Sequence, residues 1–130
     1  MNKPFSQACE NNRSPIGAVL IRLLSTSASV LELGSGTGQH AVWFAQQLPH
    51  LHWQTSDRME NHSGINQWLD ESGLDNIGAP IALDVSCDAW PTEPFDAVFS
   101  SNTAHIMAWP EVEIMFSKVA GTLSAGGLFC

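Results

Sequence analysis

A chain of 130 residues suits one domain, and a content of 44% hydrophobic and 14% charged residues describes a globular protein with a sizeable core rather than a disordered tail. The formal net charge is −8, and the five Lys and Arg (Lys3, Arg13, Arg22, Arg58 and Lys118) are scattered, so no basic stripe for nucleic acid is visible and docking on anionic lipid is disfavoured. Cys9, Cys87 and Cys130 are widely spaced with no C-x-x-C pair, the N-terminus has no apolar secretory region, and no apolar run approaches the ~20 residues of a membrane span; the expectation is a reduced, cytoplasmic protein.

The chain reads as alternating helices and strands. Ser14-Pro15 is a helix start, Ser as N-cap and Pro at the first helical position, followed by Ile16, Val19, Leu20, Leu23 and Leu24 on one face. The polar segment before it, residues 1–14, is expected to lie outside that helix, as a solvated arm or as a lid. Val30 to Leu33 is the first strand. A helix runs from about Gly38 to Leu48, with Ala41, Phe44, Ala45 and Leu48 on one face, and Pro49 stops it. Leu51 to Ser56 is the second strand. Asn61 or Ser63 opens a helix that ends near Gly73. Pro80 to Leu83 and Phe95 to Ser100 are the third and fourth strands. Pro110 starts a helix carrying Val112, Met115, Phe116, Val119 and Leu123. Ala125-Gly126-Gly127 then turns out of it, and Leu128-Phe129-Cys130 opens a fifth strand. This alternation predicts a doubly wound, mostly parallel α/β sheet over a single domain, 1–130. In such sheets ligands bind beyond the strand C-termini at the topological switch point, so the residues after each strand are the candidates.

After the first strand comes Glu32-Leu33-Gly34-Ser35-Gly36-Thr37-Gly38-Gln39-His40. Glycines at alternate positions between a strand and a helix allow a tight turn and let a ligand lie against bare main chain. The dinucleotide fingerprint G-x-G-x-x-G needs a third glycine where Gln39 stands, which disfavours a nicotinamide oxidoreductase. After the second strand comes Asp57, about 20 positions past the loop, where a carboxylate can accept from both hydroxyls of a ribose. The alternative is an acid placed at a helix start. As a strand-end residue, Asp57 is expected to matter for binding and not for folding. After the third strand, Asp84 is suited to an adenine amino group and the Val85 amide to a ring nitrogen; an Asx turn is the other reading. After the fourth strand, Asn102 could hold an amino group of the ligand or an acceptor, and His105 is a candidate base or a packed structural histidine.

As a set, VLELGSGTG, SDR, LDVS, FDAVFSSN and LSAGGL resemble the Rossmann-like S-adenosylmethionine (SAM) methyltransferases over residues 16–130. The opening KPFSQACENNR-x-PI-type segment, GSGTGQHAV and SNT-x-HIM resemble, more narrowly, a methyltransferase-like family of unknown substrate, across nearly the whole chain. The resemblance implies a class I methyltransferase fold and SAM as cofactor, bound by Glu32, Gly34, Gly36, Gly38, Asp57, Asp84, Val85 and Asn102. The polar run Cys9-Glu10-Asn11-Asn12-Arg13 could itself fold over the ligand, with Arg13 meeting the methionine carboxylate, or remain a solvated arm.

A complete fold of this type has seven strands, and this chain ends as its fifth begins. The expectation is therefore an incomplete sheet whose apolar fourth strand is left unpaired, so that copies self-associate through that edge. The function reading is methyl transfer to a small-molecule acceptor. Its alternative is a SAM- or nucleotide-binding module made inert by the missing part of the fold. No metal is implied: the five His lack a convincing ligand spacing.

Overall fold

The computed structural model describes residues 4–84, 90–91, 94–101 and 109–130. Its elements in chain order are α1 (Gln7–Leu23), β1 (Ser29–Leu33), α2 (Gln39–Gln47), β2 (His52–Asp57), a short 3-10 turn (Met59–Asn61), α3 (His62–Ser72), β3 (Ile77–Ala82), β4 (Phe95–Ser100), α4 (Trp109–Thr122) and β5 (Leu123–Phe129). The five strands pair in parallel in the order β3-β2-β1-β4-β5. The chain steps outward from β1 through β2 to β3, then returns to the other side of β1 at β4. The switch point therefore lies between β1 and β4, as the doubly wound reading requires.

Two apolar layers sandwich the sheet. Leu20 of α1, Leu24 at its C-cap and Ala41, Phe44 and Ala45 of α2 pack on Val30, Trp53, Ala97 and Phe99. On the opposite face Val112, Met115 and Val119 of α4 pack on Leu31, Leu33 and Val98. Successive residues of β1 thus enter opposite cores, which the period of two along a strand dictates. This explains why Val30 to Leu33 reads as a continuous apolar run broken only by Glu32.

Several boundaries differ from the sequence reading. Helix α1 starts at Gln7, not at Pro15: Ser6 is the N-cap, its hydroxyl accepting from the Cys9 amide at 3.3 Å, and Pro15 stands inside the helix. A proline there removes its own N–H bond to the carbonyl one turn back and crowds that carbonyl with its ring. Tertiary contacts outweigh that loss, because the Trp68 indole donates to the Pro4 carbonyl at 2.6 Å and the Gln39 side-chain carbonyl accepts from the Ser6 amide. The polar segment is thereby drawn onto the body of the domain. Strand β3 is Ile77–Ala82 rather than Pro80 to Leu83, with Pro80 tolerated because β3 is an edge strand.

The largest correction concerns β4 and β5. Ala125-Gly126-Gly127 does not turn the chain out of the sheet. It is an irregularity within β5, whose register shifts between the pairs Phe95↔Leu123 and Ala97↔Leu128, with Gly126 at φ 79°. Strand β4 is therefore not an edge; it lies between β1 and β5. Asp96 fastens the three strands together at one end. Its carboxylate accepts from the Ala28 amide at 2.7 Å, the Ser29 amide at 3.2 Å and the Ser124 hydroxyl at 3.2 Å. The Ala28 bond, above all, holds this carboxyl below the ordinary aspartate range.

Helices α1 and α2 meet where Gly17, a buried residue, faces the Trp43 ring, and a Cβ there would run into that ring. Gly17→Ala is expected to lower stability by about 1–3 kcal/mol through overpacking. Gly121→Ala, in α4 with nothing within 4 Å of its Cβ, is the control and should leave stability unchanged or raise it slightly. Urea unfolding midpoints of the two variants check this.

Candidate functional site

Glycine-loop residues connect β1 to α2 beyond the strand C-termini. Gly34, Gly36 and Gly38 all have positive φ, at 66°, 60° and 95°. Such backbone favours glycine, and two of the positions also show what the missing side chain is for. A Cβ on Gly36 would meet nothing within 4 Å, so the backbone there fronts open space. A Cβ on Gly38 would press on Ile65 and Trp68 at 3.2–3.3 Å, so this glycine lets α2 and α3 approach.

The loop is held by β2. The Ser35 amide donates to the Ser56 carbonyl at 2.8 Å, the Ser56 amide returns a bond to the Ser35 hydroxyl at 3.0 Å, and the Ser56 hydroxyl donates to the Glu32 carbonyl. Asp57 completes the attachment. One of its carboxylate oxygens accepts from the Gly36 amide at 2.8 Å; the other accepts from the Arg58 amide at 2.7 Å and the Asn61 side chain at 3.0 Å. Asp57 is thus not a spare strand-end acid with no part in the fold. It joins the middle of the glycine loop to the turn before α3, and its carboxylate also lines the cavity described next.

A cavity of about 530 Å³ opens over the loop. That falls within the ~300–1,000 Å³ typical of small-molecule sites. It gathers Glu32, Gly34, Gly36, Asp57 and Asp84, which the sequence placed in one site. Arg58 stands 3.7 Å from Asp84 in an ion pair at the rim. Arg13 is elsewhere: it pairs with Glu10 at 2.9 Å, lies over the Trp43 ring at 5.6 Å, and does not line the cavity. Val85, Asn102 and His105 lie outside the described residues.

The cavity also contains groups the sequence reading did not single out. His40 lines it from the first turn of α2, and Ser6 and Ala8 stand at its wall with Cys9, which belongs to the segment read as an arm or a lid and here forms the start of α1. The signal for α1 was present in Ser6, an N-cap residue type, but Ser14-Pro15 offered the stronger local pattern. Nothing in the pattern around His40 distinguished it from a core position.

Glu32 is the most perturbed acid on the wall. It is 2% exposed, and burial pushes its carboxyl from 4.5 up to about 7, with Asp57 adding a little. Hydrogen bonds from Ser35 and the Trp53 indole oppose that rise, the indole lying at 3.2 Å.

This parallel sheet and its glycine-loop cavity define a doubly wound Rossmann-like α/β domain, the fold of the SAM-dependent methyltransferases. Three solved structures illustrate the match. The methyltransferase SibL in its apo form has a TM-score of 0.84 at 20% identity, covering 93% of this chain and 35% of that one. The glycopeptide N-methyltransferase MtfA complexed with SAM has a TM-score of 0.78 at 20% identity, covering 91% and 52%. Coclaurine N-methyltransferase, bound to N-methylheliamine and S-adenosylhomocysteine (SAH), has a TM-score of 0.77 at 18% identity, covering 98% and 38%. The chain thus spans between about a third and a half of the length of these proteins. Within this fold the chain belongs to the family described as "Protein of unknown function (DUF938)", whose model matches residues 3–130.

A carboxyl that titrates near 7 when folded and at 4.5 when unfolded binds more protons in the folded state across that interval. Stability should therefore fall as pH rises from about 4.5 to about 7, by up to ~3 kcal/mol at one unit of pKa per ~1.4 kcal/mol. Glu32→Gln should remove this slope and be more stable than the wild type at pH 8. Denaturant unfolding of both proteins at pH 5 and pH 8 measures it.

Proposed function

We propose that the chain is a SAM-binding methyltransferase domain that transfers a methyl group to a small-molecule acceptor. The observation that carries the reading is the joining of Gly36 to Asp57 at the floor of one cavity: a bare backbone facing open space, with a carboxylate fixed beside it. A flat ligand can lie on such a backbone while its hydroxyls reach the carboxylate. The wall fits SAM in other respects. Carboxylates at Glu32, Asp57, Glu60, Asp84 and Glu111 favour a ligand bearing positive charge, as SAM does at its sulfonium and its ammonium.

SAM, when bound, supplies a methyl group on a sulfonium centre. The chain's residues bind and orient. Asp57 accepts from the ribose hydroxyls with the lone pairs that Gly36, Arg58 and Asn61 leave open. Asp84 accepts from the adenine amino group, beside the Val85 amide, and Asn102 holds the amino group of the methionine end. His105 is the proposed base for the acceptor. Holding two reactants in line within a closed site supplies much of the rate of such a displacement. A small-molecule acceptor accords with neighbours such as coclaurine N-methyltransferase and with the lack of a basic stripe in the sequence. Turnover of labelled SAM with added acceptors separates a catalyst from a non-catalytic binding module.

Calorimetry should find that SAM and SAH bind more tightly than NAD; the reverse order overturns the reading. Asp57→Ala should weaken SAM binding by roughly tenfold to 150-fold, the worth of a charged hydrogen bond. It should also lower stability, because the bonds to Gly36, Arg58 and Asn61 go with it. Asp57→Asn, which keeps an acceptor oxygen, should retain more of both.

We further propose that copies of the chain associate through β5 rather than through β4. Strand β5 is an edge; its Leu128 and Phe129 are 38% and 37% exposed and Phe116 of α4 is 52% exposed, the two rings packed at 5.6 Å. Repulsion at a net charge of −8 opposes association, and salt screens it over about 8–10 Å. Sedimentation should therefore show more dimer at high salt than at low, and Phe129→Lys should reduce it.

A further inference from the structure

Gln39 stands where the dinucleotide fingerprint would carry its third glycine, and none of the cofactor contacts proposed above uses it. It is 5% exposed, and its side chain is spent on the N-terminal segment and the loop beside it. The side-chain carbonyl accepts from the Ser6 amide and from the Thr37 hydroxyl at 3.0 Å. The side-chain amide donates to the Ser6 carbonyl at 3.3 Å and to Glu10 at 3.0 Å. A second fastening lies nearer the chain end. The Trp68 indole donates to the Pro4 carbonyl at 2.6 Å, and the Pro4 ring sits against the bare backbone of Gly64, where a Cβ would run into it. Phe5, between the two fastenings, is 61% exposed and adds little anchorage.

Helix α1 is divided in its attachment. Its C-terminal half is docked: Ile16 packs on the core, Gly17 faces Trp43, and Leu20 is buried. Across residues 7–15 no residue is buried. What holds this half is polar, namely Gln39 on Ser6 and Glu10, with the Arg13 guanidinium over the Trp43 ring at 5.6 Å close to the division. Pro15 marks the division, and it leaves the Asn11 carbonyl without the N–H that a regular helix would supply. A helical segment of about two turns is not stable by itself in water. The first half of α1 therefore stays folded only while it is fastened.

This half is also a wall of the cavity, through Ser6, Ala8 and Cys9. The rest of the lining comes from strand ends, the glycine loop, the turn after β2 and helices with buried faces of their own. One wall is thus held by polar bonds while the others are continuous with the core. Parts of a fold with few buried apolar contacts are those that open locally. We propose that residues 4–14 form a flap, hinged at Pro15 and latched by Gln39 and Trp68, that closes the cavity over its ligand and limits ligand release. The identity of the ligand rests on the SAM reading above; the hinge and the latch stand apart from it. The residue that separates this loop from the dinucleotide pattern gives up the close approach a glycine allows and gains a hold on the flap.

Hydrogen exchange and SAH release, both on the whole chain, test this. In the wild type the amides of residues 11–14 should exchange at least about tenfold faster than those of residues 18–24, and SAH should slow them. Gln39→Met keeps the bulk of the side chain and removes the latch. It should speed exchange at 11–14, and the release of labelled SAH chased with excess unlabelled SAH, by about tenfold or more, with exchange at 18–24 within about twofold of wild type. Trp68→Phe should act in the same direction, and it carries the comparison if Gln39→Met fails to fold. Pro15→Ala restores a helical bond across the hinge and should do the reverse, slowing release at least about threefold. Equal exchange on the two sides of Pro15, latch variants that leave release unchanged, or a Pro15→Ala protein that releases SAH as fast as wild type each overturn the flap and leave the SAM reading standing. A wild type that binds no SAH overturns that reading; the hinge and latch then stand only if the latch variants speed exchange at 11–14 in the free chain, and fall if they do not.

Discussion

The attachment of the glycine loop to the end of β2 is the constraint on which the rest of the site depends. A loop with positive φ at Gly34, Gly36 and Gly38 has few ways to hold itself, because its residues form no ladder of their own. Asp57 and Ser56 provide that hold from the neighbouring strand. The side chain expected to meet a ribose is therefore also the one that fixes the surface on which the ribose would lie. Pre-organisation of this kind keeps the ordering entropy of the loop from being charged against ligand binding.

A second consequence of that geometry is electrical. β1 delivers Glu32 to the cavity wall, β2 delivers Asp57, and the segment after β3 delivers Asp84, all beyond the C-terminal ends of parallel strands. The most buried of them is Glu32, and burial above all, with a smaller push from Asp57, raises its carboxyl to about 7. The helices running the other way bring their N-terminal ends to the same place. Alternation of parallel strands with helices thus gathers acids from three strand ends at one cavity without any special composition.

How much of this was legible in the sequence differs from element to element. Strand β4 matched residue for residue, and α2 and α3 to within a residue or two, because apolar periodicity, Pro49 and Gly73 mark them locally. The start of α1 did not, since what holds Gln7 to Ser14 in a helix is the grip of Gln39 and Trp68 on Ser6 and Pro4, from more than thirty residues away. Strand β5 did not either. Ala125-Gly126-Gly127 has the composition of a turn, and only pairing along β4 makes it a bulge within a strand.

By itself the sequence determined the class of sheet, the position of the glycine loop and the acids that follow the strands, because each is encoded within a few neighbouring residues by period, glycine spacing and charge. Tertiary structure alone decided what those groups touch. It turned Asp57 into a brace as well as a candidate ligand, directed Arg13 onto Glu10 and Trp43, and placed His40 unpartnered at a cavity wall. Each of these outcomes depends on contacts between segments distant in the chain, and side-chain hydrogen bonds and burial are fixed only when those segments meet.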